Sequence, residues 1–72
     1  MKQTRRISIS TEIDGKTYTG SCVIEGTRKL FQTIHYGGRS RFDGREYKPG
    51  QDAVMESAAT LILGELVRES RA

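Results

Sequence analysis

The 72-residue chain has one cysteine, one histidine, one proline and no tryptophan. With Cys22 alone, no disulfide forms within the chain, and disulfides staple many domains this small. Cys22 and His35 together do not supply the four donors a structural metal site takes, so no metal and no cofactor is expected. The densest apolar stretch, Leu61-Ile62-Leu63, falls far short of the roughly 20 residues that span a bilayer. Met1 to Arg6 leads into alternating Ile and Ser, not into the apolar segment of a secretory signal. No membrane contact is expected, and a lone thiol suits a reducing compartment, so the chain reads as cytoplasmic.

Length allows a single domain, residues 1–72, with a small core of about a dozen apolar side chains. Ordering so short a chain costs nearly as much as that core contributes, which favours self-association. Net charge is +3, unevenly placed. Residues 1–48 carry ten Lys/Arg and five Asp/Glu, and residues 49–72 carry two and four. A basic front and a mildly acidic tail suit either an anionic partner or complementary patches between subunits.

Most of what is present reads as β-strand. From Arg5 to Ile13, Ile7, Ile9, Thr11 and Ile13 alternate with Arg6, Ser8, Ser10 and Glu12, the pattern of a half-buried strand. Asp14-Gly15 then predicts a two-residue hairpin turn. Such a turn pairs Ile13 with Lys16, Thr11 with Tyr18, Ile9 with Gly20 and Ile7 with Cys22. All the apolar residues then share one face, and a one-residue slip would scatter them. Gly20 opposite Ile9 leaves room for a helix to approach.

Gly26-Thr27-Arg28 reads as a second turn before a strand from Lys29 to Tyr36. A three-residue turn puts Leu30, Ile34 and Tyr36 on the core face beside Ile24, Gly20 and Tyr18, leaving Phe31 outside near Val23. A two-residue turn would invert the strand and bury Phe31, Thr33 and His35. The first choice buries more apolar area. Residues 37–50 are the least regular. Phe42-Asp43-Gly44-Arg45-Glu46-Tyr47 echoes Ile13-Asp14-Gly15-Lys16-Thr17-Tyr18 and reads as repeated hairpin chemistry. A short fourth strand is expected near Arg39–Phe42 or Arg45–Tyr47, and Pro49-Gly50 breaks the sheet.

The last third, about residues 52–70, reads as the only helix. At 100° per residue Met55, Ala58, Ala59, Ile62 and Leu66 form one stripe, with Ser57, Glu56, Thr60, Gly64 and Arg68 opposite. Asp52 is the expected N-cap, and Arg68 and Arg71 suit the C-terminal end. A lone amphipathic helix has one use here, to cover a sheet. The expected fold is therefore α+β: an antiparallel meander of three or four strands, about residues 4–47, with a C-terminal helix across one face.

No catalytic, metal or nucleotide motif rises above chance. One candidate surface is the basic, aromatic stretch 36–48, with Arg39, Arg41, Arg45 and Lys48 interleaved with Tyr36, Phe42 and Tyr47. Cations for phosphates and rings for bases are the two ingredients of a single-strand nucleic-acid site. Gly50 before an Ala-Ala helix is similar to the end of a double-stranded-RNA-binding domain. That family begins with a helix and carries lysines where Gln51 and Asp52 stand, so no family assignment follows. A second candidate is the helix flank: Val54, Leu61, Leu63 and Val67 widen the apolar arc beyond what one small sheet needs, which suits a two-fold homodimer. Cys22 and His35 fall on opposite faces of the sheet and do not form a nucleophile–base pair. The expected function is a non-enzymatic interaction module, dimeric and acting on another macromolecule, in the manner of inhibitors carried by phages or mobile elements. The alternatives are a nucleic-acid-binding module using residues 36–48, or a minimal enzyme with its site at the dimer interface.

Overall fold

The computed structural model describes residues 3–71; Met1, Lys2 and Ala72 lie outside the described residues. Four antiparallel strands form one open sheet in the order β1-β2-β3-β4, followed by one helix packed on it. The strands are β1 Gln3–Ile13, β2 Lys16–Gly26, β3 Leu30–Tyr36 and β4 Arg39–Tyr47, and the helix is α1 Asp52–Arg71. The α+β expectation holds. Among the described residues no helix is long and apolar enough to cross a membrane.

The first hairpin has the register its sequence predicts, with Ile13 opposite Lys16, Ile9 opposite Gly20 and Ile7 opposite Cys22. Asp14 and Gly15 both take positive φ, 52° and 79°, as a type I′ turn requires. Gly20 does what its position suggested. A β-carbon there would stand 2.5 Å from the His35 carbonyl oxygen and 2.7 Å from Leu63 Cδ1, so the missing side chain is the space the helix occupies. Gly20→Ala is expected to lower stability by about 1–2 kcal/mol, because overpacking against a fixed carbonyl outweighs the gain in chain entropy. Urea denaturation would read this directly, and a stabilised variant would mean the helix does not approach there.

β3 presents the expected face but in a different register. Leu30, Gln32, Ile34 and Tyr36 point toward the helix, yet Leu30 pairs with Gly26 and Ile34 with Cys22, two residues away from the predicted partners. The turn is Thr27–Lys29, and Gly26 is the last rung of β2. Its φ of 139° and the Lys29 carbonyl, 2.0 Å from where a β-carbon would be, explain why a glycine expected in the turn closes the strand instead. A shift of two preserves the faces, so the apolar pattern alone did not distinguish the two registers.

The segment expected to be irregular is a continuous nine-residue strand, β4. Gly37-Gly38 makes the hairpin, with Tyr36 opposite Arg39. Asp43-Gly44 is not a turn. Gln32 pairs with Asp43 and Leu30 with Tyr47, so Gly44 to Glu46 stand opposite Phe31 alone, a bulge that bends the strand. The helix begins one residue off the predicted cap. Met55 N donates to Gln51 O, which makes Gln51 the cap, and its Oε1 accepts from Lys48 N at 2.7 Å. Asp52 instead pairs with Arg5 at 3.4 Å. At the other end Arg71 lies 3.7 Å from Asp14, so α1 runs along β1 from end to end.

The core comprises Ile9, Cys22, Ile24, Leu30, Ile34 and Tyr47 of the sheet with Met55, Ala59, Leu63, Leu66 and Val67 of the helix. The buried helix face is thus rotated by roughly 50°, at 100° per residue, from the predicted stripe. Ile62 and Ala58 are only partly buried at its margin. Apolar residues occupy 61, 62 and 63 in succession, so periodicity does not say which of them faces in. The depression at Gly20 does, because Leu63 fills it.

Candidate functional site

The predicted basic, aromatic cluster does not converge. Alternation along β4 sends Arg39 and Arg41 to the helix side and Phe42 to the opposite face. Arg41 is engaged there: its Nη1 donates to Glu65 at 3.2 Å and its Nη2 to Glu69. Tyr36 packs edge-on against Tyr18, centroids 6.4 Å apart, at the rim of the core. Arg45 lies in the bulge, exposed, with its backbone amide on Asp43. Lys48 follows the strand, with its amide on Gln51.

The helix flank is corrected as well. Leu63 and Val67, expected at a subunit contact, are fully buried within the chain and are not available to a partner. Val54 and Leu61 are 52% and 74% exposed and remain the accessible part of that flank, on the β4 side.

A buried polar network lies beneath the helix, and the sequence reading missed it. Asp43 Oδ2 accepts from Gln32 Nε2 at 2.8 Å and from Tyr47 OH at 2.6 Å, and its Oδ1 accepts from Arg45 N at 3.2 Å. Gln32 Nε2 also reaches Met55 O of the helix, and its Oε1 accepts from Cys22 Sγ at 3.0 Å. Burial works to raise the Asp43 carboxyl, but bonds from Gln32, Tyr47 and the Arg45 amide outweigh it, and the carboxyl is held below its ordinary range. Burial, then the bond to Asp43, raises the Tyr47 phenol, which stays a donor. Burial, then the Asp43 charge, pushes the Cys22 thiol up to about 11. At neutral pH Cys22 is a protonated donor, the opposite of an activated nucleophile. The network ties β2, β3, β4 and α1 together at the bulge. Its signal in the sequence was Gln32, a polar residue on the inward parity between Leu30 and Ile34.

The outward face of the sheet is not covered by the helix. Over most of it Ser8, Ser10, Thr17, Thr19 and Ser21 make a hydroxyl surface. At its β3–β4 end Phe31 stacks on Phe42, ring centroids 6.2 Å apart and planes 25° from parallel. Phe42 is 60% exposed. Val23, Thr33, Glu25 and Gly26 complete a shallow depression of about 440 Å³ around the two rings. The sequence placed Phe31 outside near Val23; the pairing with Phe42 appears only once β4 is a strand. His35 is on this face and Cys22 on the other, as expected, so they do not pair. Among the described residues no three His, Cys, Asp or Glu side chains converge on a metal position. Comparison with protein-family models, with curated proteins and with solved structures gives no match. What fold and surface define is a helix-backed antiparallel sheet with one open, partly aromatic face.

Proposed function

We propose that this chain is a small, non-enzymatic, cytoplasmic interaction module that works as a homodimer and binds a partner protein through the open face of its sheet. The observation that carries this reading is the Phe31–Phe42 stack with Val23, an apolar spot on an otherwise polar face. Exposed aromatics in a shallow pocket with a polar rim are the usual anchors of protein–protein contacts. A nucleic-acid partner fits less well, since Arg41 is held by two helix carboxylates and Glu25 lines the aromatic depression. The buried, protonated thiol of Cys22 suits a reducing cytoplasm. A module of this size acts by occupying a partner's site, as inhibitors carried by phages and mobile elements do.

The test compares proteins retained by immobilised wild type, Phe42→Asp and an Arg39→Ala/Arg41→Ala double variant, with a labelled random single-stranded oligonucleotide titrated in parallel. One partner is expected to be held by wild type and the arginine variant and to weaken by roughly 30-fold or more with Phe42→Asp, as for a hot-spot residue. Oligonucleotide binding that falls steeply with salt and disappears with the arginine variant would overturn the protein reading.

A further inference from the structure

The two edges of the sheet are treated differently. β4 is blunted by its bulge at Gly44 to Glu46, a standard defence against edge pairing. β1 has none. It is an edge strand of eleven residues, and from Thr4 to Ile13 it contains no glycine, proline or lysine. The two-residue turn makes Ile13 and Lys16 a hydrogen-bonded pair, so the odd-numbered residues of β1 bond to β2. The amides and carbonyls of Thr4, Arg6, Ser8, Ser10 and Glu12 therefore point out from the edge. On the helix side Ile7 is 39% exposed, beside an opening of about 200 Å³ between β1 and the helix.

We propose that β1 is the two-fold interface with a second copy of this chain, pairing antiparallel about Ile9. This rests on the homodimer reading above and specifies where the subunits meet. An antiparallel β1–β1 ladder using the outward amides must pair even residues with even ones. In the register centred on Ile9, Arg6 falls opposite the partner's Glu12, Glu12 opposite the partner's Arg6, and Ser8 opposite the partner's Ser10. On the helix side Ile9 meets the partner's Ile9 and Ile7 meets the partner's Thr11, closing the exposed end of the core. A slip of two residues, centring the ladder on Ser8 or Ser10, loses both Arg–Glu pairs. Among the described residues Arg6 and Glu12 make no ion pair within the chain, and this symmetry gives each of them one partner, so that the Arg–Glu pair occurs twice. The result is one eight-stranded sheet, with both helices on one side and both Phe31–Phe42 pairs on the other.

The experiment is the mass in solution by light scattering over a dilution series, on the full chain. Wild type is expected to be a dimer. Ser8→Pro removes an amide that β2 does not use and that an edge strand tolerates losing. It is expected to weaken the dimer at least roughly 30-fold, through two lost hydrogen bonds and the ring's bulk. Arg6→Glu alone, and Glu12→Arg alone, each set like charges opposite one another twice and should weaken it roughly ten-fold; the double exchange Arg6→Glu/Glu12→Arg should restore it. Because the exchange variants alter only exposed side chains, they decide the matter even where Ser8→Pro unfolds the chain by circular dichroism. A monomeric wild type would overturn the homodimer reading itself. A dimer indifferent to all three changes but dissociated by Leu61→Asp would overturn the β1 interface alone and move the contact to the helix flank.

Discussion

Leu63→Ala is expected to lower the unfolding free energy by about 3–5 kcal/mol, while Leu61→Ala, two residues away, changes it by less than about 0.5 kcal/mol. Leu63 is fully enclosed, with its Cδ1 seated over Gly20, whereas Leu61 is 74% exposed on the helix flank. Removing the Leu63 methyls leaves a cavity over the Gly20 backbone, within the core that Ile34, Leu66 and Val67 share, and little of it can collapse. For a domain of this size the loss corresponds to a fall in melting temperature on the order of 15 °C or more. Thermal denaturation of the two single variants checks it. Equal effects at 61 and 63 would mean that the helix face is not the one described.

Asp43→Asn should be nearly as damaging for an isosteric change, with a loss of about 2–3 kcal/mol. Three donors converge on the carboxylate, from Gln32, Tyr47 and the Arg45 amide. An asparagine offers one acceptor oxygen, and its NH₂ must face a donor in either orientation. If the NH₂ faces Arg45 N, the backbone cannot turn away. If it faces Gln32 and Tyr47, Gln32 must flip and deprive Cys22 of its acceptor. The same site gives the protein an acid limb. Asp43 titrates lower in the folded chain than in the unfolded one. Its contribution is therefore complete above the unfolded carboxyl range, near pH 4, and is lost as pH falls through the depressed folded value. Urea midpoints taken from neutral pH down to about pH 3 should fall in wild type and fall less in Asp43→Asn. Parallel curves for the two proteins would mean that the carboxylate is not the titrating group.

Neither the burial of Leu63 nor the network at Asp43 followed from local sequence. Alternation along β1 and β2 and the Asp14-Gly15 turn determined the first hairpin to the residue, because a two-residue turn and a one-sided apolar pattern allow only one register. The inward face of β3, the existence and extent of the helix, and the space left by Gly20 follow from the same local rules. Tertiary structure decided the rest. Whether Gly26 belongs to turn or strand depended on how the Lys29 carbonyl folds back onto it. Asp43-Gly44 has the chemistry of a turn, and became a bulge because Gln32, Tyr47 and the Arg45 amide donate to the carboxylate and hold it inside. With apolar residues at 61, 62 and 63, the rotation of the helix was set by the shape of the sheet beneath it, through Leu63 on Gly20. The Phe31–Phe42 pair and the separation of Arg41 from Phe42 both follow from β4 pairing with β3 over its length. Local sequence determines periodicity and turn chemistry, which involve neighbours in the chain; which buried polar groups satisfy one another, and which side of a broad apolar helix faces in, depend on partners distant in sequence.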